Sequence, residues 1–144
     1  MNIVIVGTGY VGLVTGVGFA EQGHTVSFID LDSSKIEKLK NKQLPFFEPD
    51  LDTYFSKKEN FNRMSFHSSY NSLNWDESEI VFICVQTPNN IETNSVDTKF
   101  LESAISEISK LNNKEIVITV KSTIPPYEIA VSYTHLTLPT KQPV

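Results

Sequence analysis

The chain has 144 residues, 40% of them apolar and 20% charged, with a formal net charge of −5 and a pI near 5.1. That is one ordinary globular domain, long enough to bury a real core. The acidic balance argues against broad nucleic-acid or anionic-membrane binding, which needs a basic surface, and no apolar run approaches the ~20 residues of a membrane-spanning helix. The amino terminus has no basic region and its apolar run breaks at Gly7, unlike a secretory signal. The single cysteine, Cys84, cannot form an internal disulfide. A soluble, cytoplasmic protein is the expectation.

Ile3-Val4-Ile5-Val6 is β-branched with apolar residues on both faces, the pattern of a buried parallel strand. A glycine-rich segment follows, and Val11, Leu13, Val14, Val17, Phe19 and Ala20 predict a helix ended by Gly23-His24. Val26 to Ile29 reads as a second strand that stops at Asp30. Ser33 or Ser34 is placed to cap a helix through Ile36 and Leu39. Pro45 and Pro49 mark a loop, Leu51 to Lys58 a short helix, and Met64 to His67 a strand.

Ile80 to Val85 is apolar throughout and predicts a strong buried strand with Cys84 inside it, stopping at Gln86-Thr87-Pro88. Asn89 to Val96 reads as a polar loop. Asp97 or Thr98 is placed to cap a helix with Leu101, Ala104, Ile105, Ile108 and Leu111 on one face. Ile116 to Val120 is a further buried strand. Strands alternating with helices predict an α/β fold, a Rossmann-type doubly wound parallel sheet.

Gly7-Thr8-Gly9-Tyr10-Val11-Gly12 matches the G-x-G-x-x-G fingerprint for dinucleotides, placed between a strand and a helix. Gly7 permits the tight turn, Gly9 lets a pyrophosphate approach the backbone, and Gly12 lets the helix pack close to the sheet. The helix start offers N–H groups and partial positive charge to phosphates. All six glycines of the chain fall within residues 7–23, so a glycine-rich helix–sheet contact without ligand is the bland alternative. Asp30 closes the second strand 18 residues after Gly12, where an acid accepts ribose hydroxyls and repels a 2′-phosphate, favouring NAD over NADP. The alternative is that Asp30 or Asp32 caps the next helix. Lys35 reads equally well as a ribose contact or a solvated lysine.

Residues 7–16 resemble the opening of the UDP-glucose/GDP-mannose dehydrogenase family. Phe-Ile-Asp-Leu-Asp-Ser-Ser-Lys-Ile (28–36), Leu-Pro-Phe-Phe-Glu-Pro-Asp-Leu (44–51), Val-Gln-Thr-Pro (85–88) and Lys-Ser-Thr-Ile-Pro (121–125) resemble its later motifs in order. The resemblance spans about residues 1–125. It implies a nucleotide-sugar 6-dehydrogenase, which oxidises the sugar C6 alcohol to a carboxylate in two NAD-dependent steps and is a homodimer at full length. By matching position, the resemblance implies cofactor contacts from Gly7, Gly9, Tyr10, Val11, Gly12, Asp30 and Lys35. It puts Thr87 and Thr123 at strand ends near the rest of the cofactor. The counterpart of Thr123 lies close to the reacting sugar, which implies a minor catalytic part for it. Read alone, Thr87 and Thr123 are turn or loop hydroxyls.

The family's nucleophilic cysteine, catalytic lysine and asparagine lie in a later domain. Cys84, inside an apolar strand, reads as a small buried filler rather than a relocated nucleophile. Residues 131–144 match nothing in the family pattern and read like translated adapter sequence. The authentic sequence is expected to stop between Pro125 and Val131, leaving 1–128 as the NAD-binding domain and 129–144 as a divergent, poorly ordered, non-native tail. A genuine divergent tail is the alternative. The expected function is the NAD-binding part of a UDP-glucose 6-dehydrogenase-like oxidoreductase, inactive by itself. The other readings are a 3-hydroxyacid-type dehydrogenase with the same opening and a stand-alone NAD-binding module.

Overall fold

The computed structural model describes residues 1–91, 95–112 and 114–124; the expectations for residues 129–144 fall outside these. β1 (Asn2–Val6) leads into α1 (Tyr10–Glu21), β2 (Thr25–Ile29), α2 (Ser33–Lys40), α3 (Leu51–Ser56), α4 (Lys58–Phe61) and β3 (Met64–His67). Two short 3-10 turns, Tyr70–Ser72 and Trp75–Glu77, precede β4 (Ile80–Ile83). A small hairpin of β5 (Asn89–Asn90) and β6 (Ser95–Val96) then leads to α5 (Lys99–Leu111) and β7 (Val117–Val120).

Five parallel strands pair in the order β3-β2-β1-β4-β7. The alternation of β1 explains why its residues are apolar on both faces. Ile3 and Ile5 join a core with Leu13 and Val17 of α1, Phe28 of β2, Ile36 and Leu39 of α2, and Phe55 of α3. Val4 and Val6 face the opposite core, with Tyr70, Trp75 and the Leu101, Ala104, Ile105 and Ile108 stripe of α5. Helices therefore cover both faces, as the alternating pattern predicts. The chain reverses its build direction between β1 and β4. In open parallel sheets this switch point leaves a crevice at the carboxyl ends of the strands.

Four local expectations are corrected. The cap of α2 is Asp32, not Ser33 or Ser34: Asp32 is extended and its carboxylate accepts from the N–H groups of Ser34 and Lys35, the donors an N-cap reaches. The helix expected over 51–58 breaks at Lys57, whose ψ of 128° is extended, and a separate turn of helix restarts at Lys58. The segment 89–96 is not wholly loop, because Asn89 pairs with Val96 and Asn90 with Ser95. Finally, β4 ends at Ile83, so Cys84 lies just beyond the strand. Its N–H still bonds the Val6 carbonyl at 2.7 Å, but at Gly7 the neighbouring strand turns away and the ladder stops.

Candidate nucleotide site

The crevice forms because three chain segments leave the sheet at one edge. Gly7 takes φ of +99°, and its N–H bonds the Ile29 carbonyl at 2.8 Å, so the loop folds over the end of β2. A Cβ on Gly7 would also stand 2.7 Å from the Cys84 carbonyl oxygen, so glycine is required there on two counts. A Cβ on Gly12 would fall 1.9 Å from the Gly7 oxygen, so α1 can seat against its own loop only through a glycine.

Gly9 differs. Its φ of −75° suits any residue, and a Cβ added to it meets nothing within 4 Å. No side chain caps α1, and the N–H groups of Tyr10, Val11 and Gly12 precede the first intrahelical bond, from Leu13 N–H to the Gly9 carbonyl at 3.0 Å. The open space at Gly9 therefore faces unspent donors and the positive end of a helix, which is where a diphosphate fits.

The loop opens onto a cleft of about 310 Å³. Gly7, Gly9, Asp30 and Lys35, four of the residues singled out from sequence, line it. The Asp30 carboxylate accepts at Oδ2 from the Thr8 N–H at 2.9 Å and the Thr8 hydroxyl at 2.6 Å, and at Oδ1 from the Asp32 N–H at 2.9 Å. Asp32 in turn accepts from the Ser34 hydroxyl at 2.6 Å and from the Lys35 N–H at 3.3 Å, and these bonds hold its carboxyl below the usual range. The Lys35 side chain borders the same cleft.

The remaining sequence candidates lie elsewhere. The Tyr10 ring is 54% exposed and stacks on Phe46 with centroids 5.1 Å apart. Val11 is exposed on the first turn of α1, and Gly12 is buried in the packing contact described above. Thr87 and Thr123 come together: the Thr87 hydroxyl donates to the Thr123 carbonyl at 2.9 Å, and the Ser122 hydroxyl to the Val85 carbonyl at 2.8 Å. These bonds tie the loops after β4 and β7; Val85 and Gln86 of the first loop line the cleft, whereas Thr87 and Thr123 do not.

The cleft also contains residues that sequence reasoning missed. Leu31 and Phe100 are 67% and 55% exposed, and both border it. Tyr70 lies at its floor, stacked on Trp75. Burial, with the charges of Glu107 and Asp30, pushes its hydroxyl up to about 12. Cys84 borders the cleft and also belongs to the buried core around α1, as its filler reading expects; it is only 8% exposed, and burial pushes its thiol up to about 11. Nothing local to those segments marks them, except that apolar Leu31 and Phe100 sit among polar neighbours.

A parallel sheet with a glycine loop at its switch point and an acid at the end of β2 defines a dinucleotide-binding Rossmann domain. The chain belongs to the UDP-glucose/GDP-mannose dehydrogenase family: the model of that family's NAD binding domain matches residues 1–139. The UDP-glucose 6-dehydrogenase of Rickettsia felis is 40% identical over 126 residues, 88% of this chain and 28% of that protein. The GDP-mannose dehydrogenase of Pseudomonas aeruginosa, solved as a ternary complex, superposes with a TM-score of 0.84 at 27% identity, over 94% of this chain and 31% of that one. A UDP-glucose dehydrogenase from Pyrobaculum islandicum gives 0.81 at 28% identity, over 93% of this chain and 32% of that one. The chain thus spans under a third of each of these three proteins and corresponds to their NAD-binding part. Among the described residues, no helix is long and apolar enough to cross a membrane.

Proposed function

We propose that this chain binds NAD as the cofactor half of a nucleotide-sugar 6-dehydrogenase, and that the sugar chemistry depends on residues it does not contain. The observation that carries the binding mode is Gly9, where a side chain would meet no protein atom, beside the uncapped start of α1. In this reading Gly7, Gly9 and the N–H groups of Tyr10, Val11 and Gly12 hold the pyrophosphate. Asp30 accepts a ribose hydroxyl, and Lys35 flanks the adenosine. Thr87 and Thr123 stand towards the nicotinamide end, with Thr123 nearest the sugar. Bound NAD supplies the hydride acceptor for both oxidations.

Cys84 takes no nucleophilic part, since its buried thiol stays protonated near neutral pH. Family likeness supports a nucleotide-sugar substrate, a homodimeric full-length enzyme and a cytoplasmic setting. The test is calorimetric titration of the chain with NAD and with NADP, followed by a 340 nm assay with NAD and UDP-glucose. Tighter binding of NAD and no NADH formation are expected. Equal affinity for the two cofactors removes Asp30 from its role, and turnover by this chain alone overturns the division of labour.

A further inference from the structure

We propose that Thr8 is a specificity-determining positioning residue, which acts on the nucleotide only by holding the Asp30 carboxylate. Thr8 has no accessible surface, so it touches no ligand itself. Both of its donors are spent on one oxygen, Asp30 Oδ2, at 2.9 and 2.6 Å. A buried hydroxyl and amide directed at a carboxylate are charge-assisted hydrogen bonds, the stronger kind, and they fix the side-chain rotamer as well as the charge. The Asp32 N–H restrains the other oxygen at 2.9 Å without filling it, because a carboxylate oxygen has two acceptor positions.

Thr8 sits between the two glycines of the loop, while Asp30 ends the neighbouring strand. The contact therefore joins the phosphate-binding turn to the ribose-binding wall, 22 residues apart in sequence. Asp32 carries the restraint onward, since it caps α2 through the Ser34 and Lys35 N–H groups. The wall of the cleft is thus set before any ligand arrives, and the ordering cost of binding falls.

The consequence is a selectivity effect. With Thr8 present, the Asp30 charge is held where an adenosine 2′-phosphate would sit. With the hydroxyl removed, the carboxylate is held at Oδ2 by the amide alone and gains freedom to swing away. NAD then loses its ribose acceptor, while NADP loses a repulsive charge. Simple loosening of the loop would weaken both cofactors alike.

This inference rests on the reading of Asp30 as the ribose acceptor. The test titrates NAD and NADP into the full 144-residue chain as wild type, Thr8→Val, Thr8→Ser, Asp30→Ala and the Thr8→Val/Asp30→Ala double variant, with thermal melts of each. Thr8→Val is expected to bind NAD about tenfold more weakly, the scale of one lost hydrogen bond to a charged group, with NADP affinity unchanged or higher. Thr8→Ser is expected to stay within twofold of wild type. The double variant is expected to match Asp30→Ala, because Thr8 has no effect without its partner. Should Thr8→Val not fold, Thr8→Ala is read in its place. A parallel loss of NAD and NADP affinity, a serine variant no better than valine, or additive effects in the double variant overturn the inference alone. An Asp30→Ala variant with wild-type NAD affinity overturns the ribose reading and the inference with it.

Discussion

Gly12 lies so close to Gly7 that a Cβ built on it would stand 1.9 Å from the Gly7 carbonyl oxygen. Two glycines five residues apart thus form one packing contact, and Gly9 between them takes no part in it. Of the three glycines of the motif, Gly7 and Gly12 are fixed by backbone contacts, and no protein contact requires a glycine at Gly9.

Gly12→Ala must push the loop or the helix aside, because the atom it meets is backbone. We expect a loss of about 3 kcal/mol, at the upper end for overpacking. Gly9→Ala meets no protein atom and has an ordinary φ. Its urea midpoint should match wild type while NAD affinity falls about tenfold or more, since the methyl occupies the phosphate space. A Gly9→Ala variant that folds and binds NAD normally would contradict the site.

Cys84 should behave as a poor nucleophile. Burial drives its thiol up to about 11, only partly offset by Lys121, so thiolate is scarce at pH 8. Labelling with iodoacetamide at that pH should be far slower than for a free cysteine, and slower still with NAD present, because the thiol borders the cleft. Fast labelling insensitive to NAD would place Cys84 elsewhere.

Tyr70 should stand apart from the other tyrosines. The chain has five, and burial together with Glu107 and Asp30 raises this one to about 12. A raised phenol pKa stabilises the fold fully below the unfolded value near 10, and that contribution disappears as pH rises towards 12. Absorbance at 295 nm during alkaline titration should show a late step, which Tyr70→Phe removes.

Asp32 works in the opposite direction. Bonds from the Ser34 hydroxyl and the Lys35 amide lower its pKa, so its contribution is present above the unfolded value of 3.8 and fades as pH falls through the lower folded value. Asp32→Asn keeps a capping oxygen but removes the titration. Its urea midpoint at pH 7 should change little, and the fall in midpoint between pH 4 and pH 2 should be shallower than for wild type. An unchanged acid slope would show that the cap does not titrate with folding.

Much of this was legible because it is local. The run 3–6 has only apolar neighbours to offer either face, so it becomes a central strand. The stripe from Leu101 to Ile108 repeats at the helical period and lands on the core. Gly7, Gly9 and Asp30 carry their chemistry in their residue type and spacing, and they do line the cleft. The end of β4 is not legible in the apolar run to Val85, because apolarity extends past the point where the strand loses its partner, although Cys84 stays buried. Ser33 and Ser34 are both capping residue types, yet α2 already begins at Ser33, so the cap falls on Asp32, the alternative the acid at that position offers.

The alternating α/β order, the glycine loop between strand and helix, and the acid at the second strand's end were readable from residue order, because each depends on residues close together in the chain. Tertiary structure alone decided that Thr8 holds Asp30, that Leu31, Tyr70 and Phe100 converge on one cleft, and that Thr87 bonds Thr123. Those contacts join segments brought together by the parallel pairing of β1 with β2 and β4, and of β4 with β7. Periodicity along one element says nothing about which residue of another will face it.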